Sequence, residues 1–359
     1  MFNAKRKQTM KKIFVYMASA ALMFAVSCNK EEVNVDTTAP VETELITVDL
    51  NPMTKTALGA KGTTTWDADD KVSVTVGGEV VGTLSLVEGS TFSGEITAGL
   101  SGAAVLNYPA GVTTVPTTQT AVAGSFADEA ALLEGTTTVE DLRAGTGVEL
   151  KNKTALLMFT VAQAGDVTFE VGTAKYTVTG CKTGSTYYAC VTPVENVAFV
   201  ARIAGYLSKQ ASDNVTFTAS KIANLKELPA PVMCEWGLVG QHQGWTLQQS
   251  ALTKLYKEKD NLFVVKNIKL QSSGFKFTEL SNTNWDLTFG SHSSDYVYNV
   301  SDGWYQGIYS NNRGDKSNDI KVSDWNKTYD VYLRYVQNAS WGKELGFAIV
   351  EAGGPYPAF

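Results

Sequence analysis

The stretch 71-KVSVTVGGEVVGTLSL-86 decides the fold class. Val72, Val74 and Val76 alternate with Ser73 and Thr75, a period of two that sets the valines on one face of an extended strand. Gly77-Gly78 then supplies the positive-φ pair of a tight turn, and Val80 to Leu86 runs back, so the stretch predicts a β-hairpin with one buried face. The same period recurs in Val167-Phe169-Val171, in Tyr176-Val178 and in Val331-Leu333-Tyr335. Helical periodicity is confined to Asp128–Leu133 and Gln248–Tyr256. Short strands throughout predict an all-β protein built of sandwiches.

At 359 residues the chain is long enough for two or three domains, each with its own core. Leu228-Pro229-Ala230-Pro231 reads as a stiff extended linker, placed where tryptophan frequency rises abruptly. Gly145-Thr146-Gly147, followed by the strand Val148-Glu149-Leu150, offers an earlier division. The expected organisation is a leader over residues 1–27, a tether over 28–43, two small sandwiches over 44–147 and 148–229, and a terminal sandwich over 233–359. A formal charge of -6 with acids and bases interspersed gives no basic field for phosphates, so no nucleic-acid partner is expected.

The first residues read as an export signal. Lys5, Arg6, Lys7, Lys11 and Lys12 precede an apolar run from Ile13 to Val26 that is short for a membrane span, and Met10 starts a compact version of the same signal. Ala25-Val26-Ser27-Cys28 resembles a bacterial lipobox, which implies that Cys28 becomes the lipidated first residue of the mature chain. Asn29-Lys30-Glu31-Glu32 resembles the Lys-then-acidic tag of Bacteroidetes-type surface lipoproteins. Together they imply acyl chains in outer-membrane lipid and a body facing the cell exterior. Cys181 and Cys190 flank Gly184 and are expected either to form a disulfide across a hairpin or to stay reduced and buried. Cys234 has no evident partner.

Six of the seven tryptophans, Trp236, Trp245, Trp285, Trp304, Trp325 and Trp341, follow residue 234. An aromatic side chain buries roughly 150–250 Å² and has a flat face with, in Trp and Tyr, a polar tip, so exposed clusters can hold a polyhydroxylated ligand without reacting with it. Neither His242 nor His292 sits in a metalloprotease motif, and no nucleophile elbow or phosphate-binding glycine loop occurs. Asp67, Asp69 and Asp70 lack the rest of a calcium loop. The tripeptide Arg313-Gly314-Asp315 is adequately explained by a polar loop. The expectation is therefore binding, with no catalytic residue, metal or cofactor.

Two resemblances refine this. Lys55-Thr56-Ala57-Leu58, Thr65 to Val74, Leu150 to Leu156 and Ile222-Ala223-Asn224-Leu225 resemble the fimbrillin family over residues 44–229. The resemblance implies two transthyretin-like sandwiches in which Trp66 plugs one end and Asp69-Asp70 forms the turn into a core strand. In that family an Arg-directed cleavage removes a first strand and a neighbouring subunit supplies another. No Arg occurs between Cys28 and Arg143 here, which points to an anchoring, terminal or non-polymeric relative.

Over residues 233–359, Trp236-Gly237-Leu238-Val239-Gly240, Gly274-Phe275-Lys276-Phe277, Asn284-Trp285-Asp286 and Tyr329-Asp330-Val331-Tyr332-Leu333 are similar, in order, to the SusE/SusF type of starch-utilisation lipoproteins. That implies an immunoglobulin-like sandwich that binds glycan through rings on one edge. The expected platform is Trp285, Trp304, Tyr305, Tyr309 and Trp341, with Lys276, Asn311 and Asn312 bonding hydroxyls. A stretch from about Ser291 to Lys316 has no counterpart in the family pattern. The leading expectation is a surface lipoprotein that binds glycan without catalysis. The alternative is a fimbrial accessory or tip adhesin that assembles by β-strand addition, with fimbrial subunits or a glycan-uptake complex as partners.

Overall fold

A computed structural model of the chain describes residues 41–53, 66–124, 130–285, 288–309, 317–338 and 342–354. Residues 43–152 hold β1 (Thr43–Met53), β2 (Lys71–Val76), β3 (Glu79–Glu88), β4 (Thr91–Thr97), β5 (Ala103–Tyr108), β6 (Thr118–Thr120), β7 (Leu133–Thr138), helix α1 (Val139–Arg143) and β8 (Val148–Asn152), all but β6 belonging to the first domain. The hairpin read at 71–86 forms as β2 and β3, with Gly77 and Gly78 at φ 62° and 92°. Its sheet closes on itself in the order β1-β4-β3-β2-β5-β7-β8, leaving β6 outside. Closure comes from β1, antiparallel to β4 and parallel to β8, whose Ile46, Val48 and Leu50 join Val72, Val74, Leu84, Phe92 and Leu106 in the core.

Trp66 covers this core as expected, with Phe92 and Tyr108 edge-on at 4.9 and 5.1 Å, and its indole donates to the Leu50 carbonyl. The aspartate turn forms too. The Asp67 amide donates to the Asp70 carboxylate at 2.7 Å, and Tyr108 donates to the other oxygen of that carboxylate at 2.8 Å. Of the segment 128–133, expected to be helical, residues 128 and 129 lie outside the described residues and Leu133 opens β7, while a short helix lies just beyond, at Val139–Arg143, with the Thr138 hydroxyl capping the Asp141 amide. Arg143 forks onto Glu44 at 2.6 and 2.8 Å and reaches the Leu100 carbonyl, so α1 pins the start of β1.

The second domain contains β9 (Ala155–Val161), β10 (Gly165–Val171), β11 (Ala174–Cys181), β12 (Tyr187–Val191), β13 (Val194–Val197), β14 (Phe199–Ile203), β15 (Tyr206–Gln210), β16 (Val215–Phe217) and β17 (Ile222–Leu228). Its sheets run β15-β14-β10-β11-β6, β12-β9-β17 and β13-β16 around one core. The division is not the one expected at residue 147. β8 completes the barrel, whereas Val115, β6, Ala130 and Ala131 belong with the second core. Gln119 of β6 joins the two larger sheets, donating to the Cys190 carbonyl at 2.6 Å and accepting from the Cys190 amide at 2.9 Å.

The third domain contains β18 (Met233–Gly240), β19 (Thr253–Lys259), β20 (Leu262–Ile268), β21 (Phe275–Glu279), β22 (Thr288–Gly290), β23 (Val297–Tyr298), β24 (Tyr305–Gln306), β25 (Ile308–Tyr309), β26 (Lys321–Val322), β27 (Tyr329–Asn338) and β28 (Gly342–Glu351). Gln248–Tyr256, expected to be helical, is a turn leading into β19, and the Tyr256 ring packs on Tyr206 of the second domain at 4.2 Å. Nine strands form one sheet, β24-β28-β27-β20-β19-β18-β21-β22-β25, beside the pair β23-β26. The two edge strands of that sheet are consecutive in the chain, separated by Gly307 alone. The sheet therefore wraps until one short segment spans both of its edges. Inside it lie Trp236, Phe275, Phe277, Phe289, Tyr298, Tyr329 and Phe347.

Candidate binding site

β18 ends at Gly240, where a side chain would strike the Gly274 carbonyl at 2.7 Å, so the two backbones touch and the chain turns away. A 3-10 turn over Gln241–Gln243 leads to Gly244 at φ 77° and Trp245 at φ 55°, and the Trp245 amide donates back to the Gly240 carbonyl at 2.9 Å. The Gln243 amide group bonds Thr246 in both directions, at 2.8 and 2.9 Å. A non-glycine residue in the left-handed region costs free energy, and here the bonds on either side hold it.

Trp285 comes from the turn before β22. The Asn282 side chain donates to the Thr278 hydroxyl and accepts from the Asn284 amide, each at 2.8 Å. The Thr288 hydroxyl donates to the Trp285 carbonyl at 3.1 Å. The two indoles meet with centroids 6.0 Å apart and planes at 53°, Trp285 being 42% exposed and Trp245 half-buried. Two pinned loops thus form an open aromatic corner. Its chemistry is that of a surface for a flat, partly apolar partner with polar edges.

The rings expected on one platform settle among different neighbours. Trp285 joins Trp245, which is not among the residues expected on the platform. Trp304 packs outside the sheet on Leu262, Val264, Tyr332, Ala348 and Val350, a cluster that Tyr206 of the second domain also covers. Tyr305, the next residue, turns to the other side, 5.1 Å from Phe347 and stacked on Tyr296 at 4.5 Å. Lys276 donates to the Ser317 carbonyl at 2.7 Å and lies 3.7 Å from Asp319, holding a segment in place. The backbone of Tyr309 pairs with Phe289. Cys28, Asn311, Asn312 and Trp341 lie outside the described residues, as does the tripeptide at 313–315.

Cys181 and Cys190 are free thiols buried in the core of the second domain, and no disulfide joins them. Burial raises their pKa values to about 11 and about 12, so both stay protonated and unreactive at neutral pH.

His292 is exposed beside Tyr305, whereas His242, although its sequence neighbours are polar, is only partly exposed. Its Nε2 lies 3.0 Å from the Thr253 hydroxyl, and no hydrogen-bonding group among the described residues reaches its buried Nδ1. Burial lowers its pKa from 6.5, because the site does not solvate a charged ring. The unfolded chain therefore takes up the proton first. Stability of the third domain should fall as pH drops below about 6.5 and level off once the folded-state pKa is passed. Urea midpoints at pH 7.5 and 5.5 check this: His242→Gln should shrink the difference, and an unchanged difference would show that other groups cause it.

No protein-family model matches the sequence, and no curated protein matches it. Among solved structures, the chain is similar to a fimbrial protein from Bacteroides ovatus, at 12% identity and a TM-score of 0.31 over 53% of this chain and 52% of that one. It is also similar to a candidate cell adhesion protein of the same organism, at 11% identity and a TM-score of 0.33 over 60% and 97% of the two chains. A third likeness is to a candidate cell adhesion protein from Bacteroides thetaiotaomicron, at 11% identity and a TM-score of 0.26 over 50% and 91%. The chain spans about half the length of the first of these. At this level of similarity they fix neither the family nor the function of the protein.

Proposed function

We propose that the protein is a surface adhesin, a chain tethered to the outer membrane through acyl groups on Cys28 that holds a partner without transforming it. The partner is a glycan, gripped by the third domain. The observation that carries this is the Trp245–Trp285 corner, two indoles of which one is 42% exposed, each on a loop held by its own hydrogen bonds. Preorganised rings lose little conformational freedom on binding, and a sugar face laid on one ring keeps its hydroxyls in water. A single site of this kind binds with about -4 to -8 kcal/mol, millimolar to micromolar, and many anchored copies would raise the avidity.

The test is a titration of the full-length protein against a panel of polysaccharides. Trp245→Ala and Trp285→Ala should each weaken binding at least tenfold. Trp325→Ala should leave it unchanged, since that ring is 50% exposed and stands in another loop. Failure to bind any glycan, or equal binding by the Trp245→Ala/Trp285→Ala double variant, would sink the reading.

One observation favours a second role, assembly with other subunits by strand addition. β1 fills the slot between β4 and β8 with Ile46, Val48 and Leu50 almost wholly buried. A barrel closed by its first strand is one that a strand from another chain could complete instead.

A further inference from the structure

We propose that the second and third domains are locked into a single cooperative unit, with Arg202 and Tyr206 as the bolts. The Arg202 guanidinium forks onto Glu258 of β19 at 2.6 and 2.9 Å while its Nε donates to Glu170 of its own domain at 2.9 Å. The fork is shielded from water, its side chains being 15% and 17% exposed, so solvent screens it little. Burial works against the Arg202 charge, and the two carboxylates outweigh it, leaving the guanidinium pKa above its ordinary value.

Beside the ion pairs lies an apolar contact. Tyr206 packs on Tyr256 with ring centroids 4.2 Å apart and planes tilted by 35°, accepts a hydrogen bond from the Lys266 amide at 3.2 Å, and covers the same cluster as Trp304. Lys266 reaches back to the Gly205 carbonyl at 2.9 Å. The cleft around these groups has a volume of about 480 Å³ and is lined by charges, yet those charges are already engaged within the chain. Asp330 accepts from the Asn267 and Gly353 amides, and Lys175 lies 3.8 Å from Glu170. The cleft is therefore the seam of a joint rather than a socket for a ligand. At the linker, Ser208 donates to the Pro229 carbonyl at 2.6 Å, which holds the connecting segment against the second domain.

Two domains joined by a flexible linker unfold independently, whereas a shared desolvated interface makes the loss of one expose the other. A load applied to either domain is then borne by both. Hydrogen exchange of the full-length protein in rising urea tests this, read on peptides covering residues 199–210 and 253–268. In the unmodified chain the two peptides should lose protection at one urea concentration. In the Glu258→Gln/Tyr206→Leu variant the midpoints should separate, because Arg202 keeps Glu170 and neither domain loses its own core. Separate midpoints in the unmodified chain would overturn the proposal, as would coincident midpoints in the variant. Should the double variant fail to fold, Glu258→Gln alone carries the same test, since it weakens the fork across the joint and within the third domain takes away the Lys266 contact at 3.9 Å.

Discussion

Gly307→Ala is expected to cost about 3 kcal/mol of stability, at the upper end of what a single added methyl does to a packed core. Gly307 is the residue at which the chain passes from one edge of the nine-strand sheet to the other. A Cβ there would stand 2.3 Å from the Gly290 carbonyl oxygen and 2.6 Å from the Phe289 ring. The oxygen is backbone in the paired strand β22, so it cannot swing aside as a flexible side chain would. Relief requires that β25 leave β22 or that β24 leave β28, and either move opens the core over Phe289 and Phe347. The melting temperature of the transition that unfolds the third domain should fall by on the order of 10 °C. Gly346→Ala is the control. It lies on β28 opposite Gln306, and its added Cβ would meet only ordinary contacts, 3.6 Å to the Tyr305 carbonyl and 3.9 Å to the Trp304 ring. Equal melting of the two variants would mean that the crossing is not a tight fit.

How much of the fold was legible in the sequence depended on how local each interaction is. The hairpin at 71–86 was legible because its alternation and its glycine turn lie within sixteen consecutive letters, and β10, β11 and β27 were legible for the same reason. The barrel was not. Its closure depends on pairing Leu50 with Val148 in parallel, across about a hundred residues, and nothing in either strand announces the other. The strand Val148–Asn152 looked like the start of a domain because it comes directly after Gly145-Thr146-Gly147, yet its partners are β1 and β7. β6, three residues long, carries no periodicity at all, and its place in the second domain is set by the Gln119 side chain bonding Cys190.

The candidate site was legible in its residue type and not in its geometry. A surplus of tryptophan marks the third domain from composition alone, but whether an indole faces water depends on which element covers it. Trp304 sits in a polar, glycine-bearing loop and was expected to be free, yet a distant apolar cluster on β20, β27 and β28 receives it. Trp285 stays 42% exposed because its turn projects from the sheet, and Trp245 is brought to it by a left-handed residue that no sequence pattern predicts. His242 looked like a surface residue because its sequence neighbours are polar, while the loop carrying it folds back onto β19.

A chain lacking residues 1–53 should lose the first domain as a folded unit, and a peptide of Thr43–Met53 added in trans should restore it. The loss is a matter of magnitude. Burying Ile46, Val48 and Leu50 contributes roughly 1.5–3 kcal/mol each, which together approaches the 5–15 kcal/mol that typically holds a whole domain. Both ladders of β1 disappear at the same time, leaving the facing edges of β4 and β8 unpaired. The Glu44–Arg143 fork, which fixes the start of the strand, goes with them. Rescue is a matter of register. One face of β1 carries Ile46, Val48 and Leu50 into the core, and the other shows Leu45 71% exposed, so a shift by one residue would exchange the two faces and only one alignment fits. Hydrogen exchange on β4 and β8 reads the outcome: protection lost on truncation, regained with the peptide, and not regained with a peptide carrying Val48→Asp, which would bury an unpaired carboxylate. Full protection in the truncated chain would show that the barrel does not need its first strand, and the strand-addition role would fall with it.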